Sequence, residues 1–79
     1  MTLDALKDGE NALIIGFDAP LELKNRLLSF GFSKNKKLKK LNSSLKKATI
    51  LVELENSCVI LRANEAKFIK VERIPNEKN

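Results

Sequence analysis

Apolar residues in this chain come in short bursts. The longest uninterrupted runs are residues 12–15 and 58–61, four residues each, against the roughly 20 that a bilayer-spanning helix requires. One segment carries helical spacing with both ends marked. Asp18 and Pro20 stand at its start, Leu23, Leu27 and Phe30 recur along it, and Gly31 closes it. An Asp cap, an early proline and a terminal glycine are the ordinary punctuation of a helix. This predicts one helix of three turns at about residues 20–30, with Phe32 folding back on its apolar face.

The remaining apolar bursts read as strands. Residues 12–17 are apolar on both parities, as in a strand covered on both faces, and Gly16 within them marks a bulge or sharp bend. Ile50, Val52 and Leu54 alternate with Thr49, Leu51, Glu53 and Glu55, and the run from Cys58 follows Asn56 and Ser57. That pattern is a hairpin with a tight turn. Ile69 to Glu72 alternate as a last strand before Pro75. Thr2 caps a short opening turn that carries Leu3 and Leu6, and Asn64 caps another before the last strand. Residues 36–45 are locally ambiguous: Leu38, Leu41 and Leu45 fit helical spacing, which slightly favours helix over strand.

Short strands around one inserted helix are most economically closed as a small β-barrel, which removes its edges. The predicted core comprises Leu6, Ile14, Leu23, Leu27, Phe30, Ile50, Val52, Ile60, Leu61, Ile69 and Val71. Residues 1–74 form one domain under this reading, and 75–79 a frayed tail.

Composition bears on chemistry. The 79 residues include no His, no Tyr, no Trp and one cysteine, Cys58. The commonest general base and the commonest metal ligand are therefore absent. The serines have no His to activate them, and the three glycines lie too far apart for a phosphate-cradling loop. The carboxylates at positions 4, 8, 10 and 18 lack the spacing of a calcium loop. Cys58 opens an apolar strand with no cation beside it and reads as a small buried hydrophobe. These features predict a binding module, with no catalytic residues, no cofactor and no metal site. A single cysteine suits a reducing compartment, and no segment resembles a secretory signal. The expected location is cytoplasmic.

Charge is unevenly spread. Residues 1–22 carry five acids and one base, and residues 23–52 carry nine bases and no acid, while the rest of the chain balances. Lys34, Lys36, Lys37, Lys39, Lys40, Lys46 and Lys47 form an acid-free stretch that reads either as an anion-facing surface or as a solvated edge whose lysines discourage aggregation. Nucleic-acid binding by a small barrel usually adds exposed aromatics for stacking, and Phe17, Phe30, Phe32 and Phe68 all fall at positions expected to be buried. Leu28 lies to one side of the helix's core stripe, near Arg26, and reads either as an exposed anchor or as wider core.

The order of these signals resembles the ferrous-iron transport protein A family, FeoA. Leu3, Leu6, Gly9, Ala12 and Ile14 are similar to its opening, and Leu23, Arg26, Leu27, Gly31 and Phe32 to its helix and turn. Cys58 to Arg62, with Glu65, Ala66, Ile69 and Val71, are similar to its closing elements. The likeness spans roughly residues 3–72. It implies a mainly β, SH3-like barrel of about five strands with one inserted helix, and makes residues 36–41 a strand. It also implies a cytosolic accessory role in ferrous iron uptake, exerted on the GTP-binding part of a FeoB-like membrane transporter. The partner-binding residues expected on this basis are Arg26, Leu28, Lys34, Lys36, Lys37, Lys39, Lys40, Lys46 and Lys47; the alternative is a basic module for nucleic acid. Two departures from the family pattern stand out. Asn35 occupies a position where glycine is usual, a substitution that the left-handed tolerance of Asn permits. Residues 42–48 replace an apolar-Leu-Gly-Asp-Pro type of loop.

Overall fold

The computed structural model describes residues 1–43 and 48–75, with side chains given for all of these except residue 43. Residues 44–47, with Lys46 and Lys47, and most of the expected tail (76–79) lie outside the described residues.

After a 3-10 turn at Leu3–Ala5 come β1 (Asn11–Phe17), α1 (Leu21–Ser29), β2 (Lys37–Ser43), β3 (Thr49–Glu53), β4 (Cys58–Arg62), α2 (Ala63–Ala66) and β5 (Ile69–Ile74). The five strands form one sheet in the order β4-β3-β2-β1-β5, and every neighbouring pair is antiparallel. Side chains from both ends of that order, Leu61 on β4 and Ile69 and Val71 on β5, join one buried cluster with Ile14, Leu27, Phe32, Ile50 and Val52. A flat sheet could not bring its two margins into one core, so the sheet is strongly curled.

Two bulges accompany the curling. Between Ile14 and Gly16 the β1–β5 register shifts by a residue, as Gly16 foretold. A second shift, between Lys40 and Asn42 in β2, explains the ambiguous stretch. The extra residue of a bulge breaks the two-residue period, and the three-residue step from Leu38 to Leu41 then imitates a helix turn. Residues 37–43 are strand.

Helix α1 begins after Pro20, whose carbonyl accepts the Lys24 N–H at 2.8 Å. Asp18 does not cap it. The Asp18 N–H instead donates to the Phe68 carbonyl at 2.8 Å and ties the strand-to-helix link to the start of β5. Gly31 ends the helix at φ 103°, a conformation open to glycine at little cost, and the Phe32 N–H returns to the Leu27 carbonyl at 3.2 Å. Phe32 is fully buried; Leu23 and Phe30 pack half-buried against the core. At α2 the N-cap is Arg62 rather than Asn64, and the Glu65 carboxylate accepts the Arg62 N–H at 3.3 Å.

Two expectations on β4 are overturned. Ile60 is 68% exposed and Cys58 is also exposed. Leu61 is buried and Val59 half-buried, so Cys58, Ile60 and Arg62 occupy the opposite, outward face. An apolar run carried on both parities conceals which set turns inward.

Candidate docking surface

The basic stretch is placed by the turn that leads into β2. Asn35 adopts φ 73°, the left-handed conformation anticipated for it. Its N–H donates to the Ile14 carbonyl at 2.7 Å, and the Ile14 N–H donates to the Lys36 carbonyl at 2.8 Å. The turn is thereby fastened to the middle of β1. Lys34, Lys36 and Lys37 emerge from it exposed, and Lys39 follows half-buried. These four lysines line one open groove of about 640 Å³, with Asn11 and Leu13 from β1 beside them and Glu53, Leu54 and Glu55 on the other wall. Lys39 lies directly across from Glu53 in the β2–β3 register. The groove is basic along β2 and acidic at the end of β3, so it favours an occupant with an ordered pattern of charge over a simple polyanion.

Lys40 does not belong to this surface. It is 5% exposed, and its ammonium donates to the Leu6 carbonyl and, at 3.4 Å, to the Asp4 carbonyl. Backbone bonds hold the same place: the Gly9 N–H donates to the Lys40 carbonyl at 2.6 Å, and the Lys40 N–H to the Glu10 carbonyl at 3.0 Å. This lysine clamps the opening turn to β2 and is withdrawn from any partner.

Arg26 has a double engagement. Its guanidinium pairs with Glu65 at 3.0 Å and lies 5.6 Å from the centroid of the Phe30 ring. It braces α1 against α2 while its side chain remains 56% exposed. Leu28 is exposed, and so is Leu21, one turn pair earlier. Residues seven apart share a helix face, so Leu21, Lys24 and Leu28 form an outward stripe with apolar ends. Leu21 was not anticipated; its i, i+7 relation to Leu28 is the signal that could have shown it. The aromatic rings are not freely displayed: Phe32 is buried, and Phe17, Phe30 and Phe68 are half-buried.

Among the described residues Glu10 is the titratable group with a clear perturbation. Its carboxylate accepts the Lys7 N–H at 2.8 Å and pairs with Arg73 at 3.0 Å. The backbone hydrogen bond from Lys7 is the largest influence and, helped by Arg73, holds its pKa below the ordinary value, while desolvation, second in size, opposes them. Among the described residues no group of three or more His, Cys, Asp or Glu is arranged to hold a metal ion, and no helix is long and apolar enough to cross a membrane.

A small, curled antiparallel sheet with one inserted helix is the architecture of an SH3-like domain. Residues 1–73 match the model of the FeoA domain, and the chain belongs to the FeoA family. It is 66% identical over 74 residues to a candidate Fe(2+) transport protein A of Campylobacter jejuni, an alignment covering 94% of this chain and 100% of that one. The solution structure of the FeoA protein from Chlorobium tepidum superposes with a TM-score of 0.87 at 28% identity, covering 99% of this chain and 74% of that one. The Stenotrophomonas maltophilia FeoA, solved with zinc and described as a procaryotic SH3 domain protein, superposes with a TM-score of 0.77 at 25% identity, covering 91% and 89% respectively.

Proposed function

We propose that this chain is a cytoplasmic accessory protein of ferrous iron uptake that docks on the cytosolic, GTP-binding part of a FeoB-like transporter and works by binding, without catalysis of its own. Family membership supports the pathway. The observation that carries the docking is the convergence of Lys34, Lys36, Lys37 and Lys39 on one open groove, with the Leu21 and Leu28 stripe as a separate apolar element. Charges at the rim of an interface mainly set association rate and selectivity, whereas a few desolvated anchors set residence time. The lysines therefore orient the encounter and Leu28 anchors it. Lys40 takes no part.

Binding kinetics between the purified chain and the transporter's cytosolic part test this division of labour. Charge reversal at Lys34, Lys36, Lys37 and Lys39 is expected to slow association. Leu28→Ala is expected to speed dissociation while the far-ultraviolet circular dichroism stays unchanged. Absence of binding by the wild type, together with retention of RNA or DNA near physiological salt, would replace the adapter reading with the nucleic-acid one, whose affinity falls steeply with salt.

A further inference from the structure

The two margins of the sheet are finished differently. Along β5 the chain's own first residues seal the edge: Thr2 bridges to Lys70, the Val71 N–H donates to the Met1 carbonyl at 2.9 Å, and the Met1 ammonium donates to the Val71 carbonyl at 3.4 Å. No described segment pairs with the outer side of β4.

Which backbone groups that open edge presents follows from the phase of the β3–β4 ladder. The Ala63 N–H donates to the Ala48 carbonyl at 2.6 Å and the Leu54 N–H to the Ser57 carbonyl at 2.7 Å. Both pairs continue the register in which Ile50 faces Leu61 and Val52 faces Val59. Hydrogen-bonded and non-bonded pairs alternate in an antiparallel ladder, so Val59 and Leu61 spend their backbone groups on β3. Cys58 and Ile60 turn theirs outward, while the Arg62 N–H is taken by Glu65. The edge thus offers two donors and two acceptors, on residues two apart.

Such a set is complementary to itself. With two β4 strands antiparallel about a two-fold axis at Val59, Cys58 of each copy pairs with Ile60 of the other, and all four outward groups on both chains find partners. Val59 then faces its own counterpart, exposed Ile60 lies beside Cys58 of the second copy, and Arg62 falls next to the turn that carries Glu55. Residues 58–61 contain no lysine, proline or inward charge, the devices that normally blunt an edge. The charges nearest the edge, Glu53, Glu55, Arg62 and Glu65, are mixed in sign, so the lysine-rich groove does not oppose the approach. We infer that β4 is a self-association edge through which two copies of this chain join their sheets in this register. The interface is small and the dimer correspondingly weak.

Sedimentation equilibrium over a wide concentration range, with the full chain, tests the inference. The wild type is expected to show a reversible monomer–dimer equilibrium. Ile60→Lys, a surface change, is expected to remain monomeric with an unaltered thermal midpoint. Register is read by cross-linking. In the double variant Cys58→Ser, Val59→Cys, the new thiols lie on facing non-bonded positions, where Cα separations of about 4.5 Å suit a disulfide, and oxidation is expected to trap the dimer. Cys58→Ser alone is expected to give none. A wild type monomeric at every concentration overturns the proposal, as does a dimer unaffected by Ile60→Lys or one that cross-links through Cys58 itself. Loss of transporter binding by Ile60→Lys in a monomeric wild type would assign the edge to a foreign strand instead. Charge reversal at the groove lysines leaves the dimer intact, so this test and that of the docking reading fail independently.

Discussion

The ammonium of Lys40, rooted in the middle of β2, reaches across the base of the sheet and donates to the carbonyl of Leu6. Leu6 follows the opening 3-10 turn and is 2% exposed. One charged side chain thereby fixes the segment whose Leu3 and Leu6 close that end of the core.

Lys40→Met retains the apolar stem but removes the donor. A buried carbonyl left without a partner costs about 1–3 kcal/mol, so chemical denaturation should show a loss of that size. The same change at exposed Lys37 should stay within about 0.5 kcal/mol.

Leu27 is the α1 side chain buried completely in the core. Leu27→Ala is expected to cost about 2–5 kcal/mol, a large share of the stability of a domain this small. Ile60→Ala, on the outward face of β4, is expected to cost less than about 0.5 kcal/mol. Thermal melts of the pair check both the core assignment and the parity of β4.

Among the described residues two other than glycine occupy left-handed backbone conformations, Asn35 at φ 73° and Ala48 at φ 51°. Alanine pays roughly 1–2 kcal/mol there, whereas asparagine is eased by its short polar side chain. Ala48→Gly is expected to stabilise the protein and Asn35→Ala to destabilise it, each by about 1 kcal/mol in urea titrations.

The Glu10 carboxylate is held below its ordinary value of 4.5. A carboxylate depressed in the folded state contributes stability that is complete above its unfolded pKa and is lost as pH falls through the folded one. The stability advantage of wild type over Glu10→Gln should therefore be constant near neutrality and shrink on acidification below pH 4.5. Denaturation curves at a series of acidic pH values measure this, and proton-linked chemical shifts at Glu10 locate the midpoint.

Much of this fold is legible from local chemistry. Gly31 ends α1, Gly16 marks the β1 bulge, and Asn56 with Ser57 separates the hairpin strands, because turns and bulges demand particular residues at particular places. What escapes is the outcome of long-range choices. Nothing near Lys40 in the sequence announces that two carbonyls more than 30 residues away wait for its ammonium, and a lysine among lysines reads as solvated. Residues 58–61, apolar on both parities, conceal that Ile60 faces outward. The helical spacing of Leu38 and Leu41 is a by-product of a bulge that is defined by pairing with β3. Of the candidate surface, the lysines at 34, 36, 37 and 39 were legible as a group because their charge is unbalanced locally. The acidic wall supplied by Glu53 and Glu55 was not, since most of β2 and of β3 lies between them and the lysines along the chain.

The bulge at Gly16 gives β1 a length of chain in excess of what its partner requires. Ile14 is aligned with Val71 and Gly16 with Lys70, so Ile15 is a surplus residue, exposed on the outer face. The strand therefore keeps its inward set in phase across the extra residue, because Ile14 and Phe17, three apart, both stand opposite buried residues of β5, Val71 and Ile69.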